Sequence, residues 1–525
     1  MSKRQRPCAR DNLARRIDEP AASLDVLRRR VVSGLAWKGT TQVVGQAVRL
    51  GVAIILARLL LPHDYGVAGI LLVLVAFVLV LSDLALGLAL VQRRTLSQLD
   101  CSTVFWMNIA AGVVFTGAGI AAAEPIATFF REPELTSMVR VLSISFILAS
   151  IGLTQSSLLV RAMDFRSLEL RQMASMLASG AAAVVVAALG YGAWAIVAQQ
   201  LTRSVVSSYL VWRFSSWRPS FAFSISTLRG LAGFSGNVLG QNLVTQLRST
   251  SDNILVGRFL GAAALGAYSL AYNLILVPFN RVALPLSQVL YPALARLQDE
   301  RDRVEDYWLR SVRTIAAVAT PALVGLIIVA PDFVRVVLGE KWSSAVPVVQ
   351  LLAVVGLLQT LQFLNPAILQ ALDRTSILFR FTLCSYAATL GAFAIGLQWG
   401  IVGLAAAYAV VASITESCYA YLTARAMGSS IARLARALTG VTAASAVMSG
   451  VVLAVRLLLV HWHVGAGIRL PVLVALGAAV YFAAAARLSP QAFGEIRSLL
   501  RRRRAGPSLE PDRAKTAELL GGASS

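Results

Sequence analysis

Residues 57–94 read ARLLLPHDYGVAGILLVLVAFVLVLSDLALGLALVQRR. An apolar run closes on Arg58, a tight Pro62-His63-Asp64-Tyr65-Gly66 connection follows, and a second apolar run carries one acid, Asp83, before Arg93 and Arg94. Shifted by 200 positions, Arg58-Leu59-Leu60 falls on Arg258-Phe259-Leu260 and Tyr65-Gly66-Val67 falls on Leu265-Gly266-Ala267. A helix, arginine, short turn, glycine, helix module therefore occurs twice. The correspondence continues: Gly190-Tyr191-Gly192-Ala193 resembles Gln398-Trp399-Gly400-Ile401, now offset by 208, and Phe129 to Glu134 and Leu338 to Trp342 occupy equivalent connections between third and fourth spans.

Apolar runs recur from about Gly34 to Arg487 in a chain of 525 residues that is 57% hydrophobic and 14% charged. Runs of about 20 apolar residues are the length a helix needs to cross a bilayer, and a soluble domain has no use for so many. The runs do not alternate apolar with polar, as spanning strands would, so helices must satisfy the backbone in lipid. The fold class predicted is an all-α polytopic membrane protein. About 14 spans are expected, among them 35–60, 66–91, 102–123, 230–260, 267–292 and 312–330. The first run begins behind a polar arm and is long enough to stay as a span rather than be cleaved as a signal.

The net charge of +22 invites a nucleic-acid reading, which the placement of the charges removes. With both termini on one side, 35 of the 48 Lys and Arg fall in the termini and in alternate connections, and the opposite connections hold four: Arg131, Arg335, Lys341 and Arg469. This is the positive-inside pattern, so both termini are expected in the cytoplasm and no nucleic-acid partner is expected. The outer connections are short, with only Glu124 to Ser137 and Pro331 to Val346 longer. Cys8, Cys101, Cys384 and Cys418 have no framework or metal-type spacing, and no nucleotide-binding loop, HExxH or GxSxG occurs. No cofactor, metal or enzymatic activity is expected.

The repeat divides the chain into a basic arm (1–33), an N-lobe of six spans (34–228), a C-lobe of six spans (229–426), a terminal helix pair (427–487) and a basic tail (488–525). Six spans per half give the halves the same orientation, related by an axis along the membrane normal, as in transporters that alternate access around a site between repeats.

Charges inside spans are costly and normally face water or a partner, and here the excess is cationic. Arg58, Arg140, Arg258 and Arg456 lie near span ends and read as snorkelling to headgroups. Arg49 and Arg248 lie near mid-membrane in equivalent spans. They read either as contacts to an anionic substrate or as structural partners of Asp83 and Asp252. Gln42, Gln46 and Arg49 share one helix face, as do Asn237, Gln241, Thr245 and Arg248, with Lys38 and Asn242 nearby. These amides suit sugar hydroxyls and phosphate oxygens, or hydrogen bonds between helices. Arg281, between Pro278 and Pro285, faces either the cavity or a gap left by a broken helix. Asp83, Asp252 and Glu416 are the candidate coupling acids, with a simple hydrogen bond to Ser or Tyr the alternative for Glu416. His63 reads as a surface residue.

The run ARLLLPHDYG, the stretch from Asp83 to Gln92, DNILVGRFLGAAALGAYSLAYNL from Asp252, LYPALARLQD from Leu290 and LGEKW from Leu338 together resemble Wzx-type bacterial polysaccharide exporters, in the superfamily that also holds MATE antiporters and lipid II flippases. The likeness covers roughly Val31 to Met427. It implies a flippase of the inner membrane that moves an undecaprenyl-diphosphate-linked oligosaccharide between leaflets, with a cationic cavity for the diphosphate and sugars and with a polysaccharide polymerase and export machinery as further partners. Arg49 and Arg248 are the residues carried over to that cavity. The alternatives fit less well. A MATE-type antiporter expels cations, which a cationic cavity handles poorly; a membrane polymerase or ligase needs a large polar outer loop. A scaffold would be indifferent to loss of Arg49 or Arg248.

Overall fold

The computed structural model describes residues 44–83, 96–278 and 300–491, with positions 41, 87, 90, 91 and 494. Among them all regular structure is helical. In chain order the helices are α1 (44–59), α2 (Pro62–Asp83), α3 (Gln98–Phe130), α4 (Leu135–Arg161), α5 (Phe165–Ala188), α6 (Trp194–Phe214), α7 (Ile225–Leu260) and α8 (Ala262–Pro278). Then come α9 (Arg301–Phe333), α10 (Val346–Leu361), α11 (Asn365–Ala371), α12 (Thr375–Gly396), α13 (Gly400–Met427), α14 (Ile431–His461) and α15 (Ala466–Leu488). Eight helical stretches among the described residues are long and apolar enough to cross a membrane. The 36-residue α7 is not one of them, because Gln241, Asn242, Gln246, Arg248 and Asp252 dilute its apolar character.

Helix starts follow local chemistry. Ser97 caps α3 in a capping box, accepting from the Asp100 amide while the Asp100 carboxylate accepts from the Ser97 amide. Asp164 and Ser430 cap α5 and α14. Two expected outer connections are corrected. Helix α3 runs through Pro125 as far as Phe130, so the expected connection from Glu124 shrinks to a turn around Arg131, which takes the left-handed conformation at φ 59°. Helix α9 likewise continues through Pro331, passing at Val334 into a π-turn and then, from Glu340, into a 3₁₀ segment. At each proline the lost backbone bond is outweighed by continuing the helix.

The contacts divide the chain into two compact units: Met1–Asn273 with Val334–Val348 and Thr389–Ala407, and Leu274–Phe333 with Val349–Ala388 and Tyr408–Ser525. In the first unit α3 pairs with α4, α5 with α6, and α2 crosses α7. The turn between α1 and α2 is its knot. The Trp342 indole N–H donates to the Ala57 carbonyl at 2.8 Å, Lys341 Nζ donates to the carbonyls of Arg58 at 2.7 Å and Leu60 at 2.6 Å, and Tyr65 meets Trp342 edge-on at 5.4 Å. Arg58 donates back to the carbonyls of Val336 and Val337. These groups satisfy backbone acceptors at a helix end that has no partners of its own. Arg58 therefore does not snorkel, and Arg258 stacks over the Phe129 ring at 5.2 Å. Trp342→Phe, which keeps the apolar body and removes one buried donor, is expected to cost about 1 kcal/mol, read as a lower melting temperature of the detergent-solubilised protein.

Two glycines let the turns interlock. A Cβ on Gly66 would fall on the Ala262 carbonyl, and a Cβ on Gly266 would fall on the Pro62 carbonyl. The contact is reciprocal: positions 62 and 66 meet positions 266 and 262.

In the second unit, Val304, Trp308, Val312 and Ile315 repeat at helical spacing on α9 and pack against Ile368 of α11, Ala424 of α13 and Leu434 of α14. Met448 and Val452 of α14 pack on Leu473 and Tyr481 of α15. Asp332, 2% exposed, accepts from Arg456 Nε at 3.0 Å and Arg469 Nε at 2.9 Å. This ties the terminal pair to α9 and corrects the snorkelling expected of Arg456. Near the opposite end of α9, Glu305 accepts from Arg433 at 2.8 Å and from the Ser429 hydroxyl.

Candidate functional site

Helix α1 turns Gln46 and Arg49 to the same side, one turn apart, and Arg49 Nε donates to Gln46 Oε1 at 3.2 Å. Arg49 Nη1 also touches Met176 Sδ of α5 at 3.6 Å. The guanidinium stands at a cleft of about 180 Å³ in the first unit, lined also by Tyr65 of α2, Gln199 of α6, and Ser269 and Asn273 of α8. Its floor is apolar, with Val52, Leu56 and Leu72, while the amides, hydroxyls and the cation are few and spaced. Such a surface can hold an anionic headgroup by its charge and leave the rest of a ligand in apolar contact.

No carboxylate pairs with Arg49 or Arg248 among the described residues. Asp252, an expected structural partner, is buried on α7 and occupied otherwise: the Tyr268 hydroxyl donates to Oδ2 at 3.0 Å and the Asn253 amide to Oδ1 at 2.8 Å. The Asn253 side chain in turn accepts from Ser269 Oγ at 3.3 Å. Ser269 lines the cleft, so Asn253 meets the buried acid through its backbone N–H and the cleft lining through its side chain.

The structure thus brings Gln46 and Arg49 together at one cleft. Gln241, Asn242 and Arg248 are exposed on α7 and do not line it. Lys38, Gln42 and Arg281 lie outside the described residues; Asp83 ends α2, and Glu416 is half-buried on α13. His63 pairs with Glu132 at 3.1 Å. No three His, Cys, Asp or Glu side chains gather as metal ligands among the described residues. Sequence reasoning passed over Ser269, Asn273 and Gln199. The signal for the first two was an i, i+4 polar pair within an apolar helix, and for Gln199 its place one turn before Arg203.

The family described as "Polysaccharide biosynthesis protein" matches residues 55–347, more than half of the chain. The chain is 28% identical over 408 residues to the lipopolysaccharide biosynthesis protein WzxC of Escherichia coli K12, covering 77% of this chain and 83% of that one. It is 27% identical over 475 residues to the teichuronic acid biosynthesis protein TuaB of Bacillus subtilis 168, covering 89% and 97%. Among solved structures, the lipid II flippase MurJ in an inward closed conformation superposes with a TM-score of 0.69 at 14% identity, covering 85% of this chain and 97% of that one. That likeness fixes the fold. The chain is a multi-pass membrane protein.

Proposed function

The chain belongs to the polysaccharide biosynthesis protein family, and on that premise we propose that it is a flippase for undecaprenyl-diphosphate-linked oligosaccharide repeat units, serving exopolysaccharide or lipopolysaccharide assembly. The observation that carries this reading is Arg49, a cation expected near mid-membrane and hydrogen-bonded only to Gln46 and Met176 among the described residues, at the mouth of a cleft with an apolar floor. An unpaired charge at that depth is too costly to keep without use. A guanidinium suits a diphosphate because its planar fork binds two phosphate oxygens at once. The amides and hydroxyls of Gln46, Gln199, Ser269 and Asn273 suit sugar hydroxyls, and Arg248, Gln241 and Asn242 of α7 belong to the same path at another stage of transport.

About fourteen spans in two six-helix lobes (34–228 and 229–426) and a terminal pair form the transporter, which sits in the cytoplasmic membrane with both basic termini in the cytoplasm. The reciprocal meeting of Gly66 with Ala262 and of Gly266 with Pro62 supports the two-fold relation of the lobes, since each residue and its counterpart 200 positions on make the same contact in reverse. The lobes rock about the cavity while the lipid tail stays in the bilayer, loading the headgroup from one leaflet and releasing it to the other. Asp252, buried next to the Asn253 that bonds the cleft-lining Ser269, is the acid best placed to couple a proton to that motion. A polymerase acting on the exported unit is the expected downstream partner.

In a host lacking this gene, lipid-linked repeat units are expected to accumulate facing the cytoplasm. The intact gene should restore export, and Arg49→Ala, inserted at normal levels, should not. Full export by Arg49→Ala would remove Arg49 from the pathway.

A further inference from the structure

Arg49 is not alone in its unit. Arg203 of α6 is one turn from the cleft-lining Gln199 and close enough to feel the Arg49 charge, and Arg171 of α5 in turn feels Arg203. Helices α5 and α6 run antiparallel from ends at Phe165 and Phe214. At about 1.5 Å per residue, Arg203 lies roughly 16 Å in from Phe214. Met176, which touches Arg49, lies at the same depth from Phe165, and Arg171 lies about 7 Å nearer that end. Three guanidiniums therefore form a file from the basic side of the protein up to the cleft.

The file is poorly neutralised. Arg203 is exposed and has no hydrogen-bond or ion-pair partner among the described residues. Arg171 donates to Ser156 Oγ at 2.6 Å, and its Nε is buried with no hydrogen-bond partner among the described residues. The acid acting on the file is Glu169, which also accepts from the Thr41 hydroxyl at 2.6 Å, so one carboxylate stands against three guanidiniums. Like charges held near one another repel, and a polyvalent anion between them turns that cost into attraction.

We propose that Arg203 and Arg49 together grip a diphosphate, with Arg171 as the first station that a headgroup meets on its way to them. This rests on the flippase reading and adds to it a loading route through the N-lobe alone. The chemistry required is a pair of linked phosphates, which the flippase reading assigns to a polyprenyl lipid; free pyrophosphate is the other source, and the test separates the two. A monophosphate can engage one guanidinium and not both.

The test is equilibrium binding to the full-length protein in phosphatidylcholine nanodiscs. The probes are undecaprenyl diphosphate, undecaprenyl monophosphate and inorganic pyrophosphate, with a separate arm in which phosphatidylglycerol is added to the disc. The expected result is tighter binding of the lipid diphosphate than of the monophosphate and weakening by about tenfold or more in Arg203→Ala, the size of a lost bond between charged groups. Arg203→Lys should lose less, and Arg171→Gln should slow association. Unchanged affinity in Arg203→Ala beside a weakened Arg49→Ala overturns the grip and leaves the flippase reading standing. Failure of the wild type to bind undecaprenyl diphosphate overturns both. Equal binding of pyrophosphate, or displacement of the lipid diphosphate by phosphatidylglycerol, overturns the assignment to a lipid-linked diphosphate.

Discussion

Gly66→Ala is expected to destabilise the protein, whereas Gly450→Ala is expected to stabilise it slightly. Both glycines lie within helices, where alanine is intrinsically better by roughly 0.8–1 kcal/mol. At Gly450 a Cβ meets nothing within 4 Å, so the propensity gain is all that changes. At Gly66 the new carbon lands on the Ala262 carbonyl, which belongs to backbone and cannot rotate away. The N-terminal turns of α2 and α8 must part, and the fully buried Val67, Leu265 and Tyr268 lose packing with them. Overpacking and separation of this kind costs about 1–3 kcal/mol or more, enough to reverse the propensity gain. Gly266→Ala should behave as Gly66→Ala does, because the Pro62 carbonyl stands in its way. Paired melting curves in detergent decide the matter. A Gly66→Ala protein as stable as Gly450→Ala would show that the helices do not approach so closely.

Asp332→Asn is expected to cost about 3–5 kcal/mol. The carboxylate receives two guanidiniums, and Arg469, at 11% side-chain exposure, is nearly as enclosed as its partner. Removing the negative charge leaves two cations facing each other in a site with little water. The α14–α15 hairpin would then be held to α9 by apolar packing and by the Tyr481 hydroxyl, which donates to the Ala317 carbonyl at 2.7 Å. Replacing all three charged residues with apolar ones of similar volume should recover much of the loss, since what costs most is an unpaired buried charge and not the absence of the pair. Reversible unfolding of the single and triple variants tests this. A single variant within experimental error of wild type would mean that water already reaches the cluster.

Features that depend on near neighbours were legible in the sequence. The apolar runs, the basic bias of alternate connections and the module at Arg58 and Arg258 are all local. So was the amide one turn before Arg49. Features that depend on partners far along the chain were not. Arg58 finds its carbonyls at Val336 and Val337, and Arg456 finds Asp332, separations that no periodicity encodes. Both arginines read as snorkelling because a lone cation near a span end has that solution available by default. Asp332 was hidden by Pro331, which suggested the end of a helix that in fact continues to Phe333. Arg203 was visible as a charge within a span, but only the antiparallel pairing of α5 and α6 sets it level with Arg49.

The flippase reading is tested most directly in liposomes that hold the purified protein and a labelled undecaprenyl-diphosphate oligosaccharide in the inner leaflet, by following how fast the sugar becomes accessible to an external sugar-modifying enzyme. Exposure faster than in protein-free liposomes, and its loss in an Arg49→Ala protein that inserts normally, is the predicted result. Exposure no faster than in protein-free liposomes, under an imposed proton or sodium gradient of either direction, would contradict it.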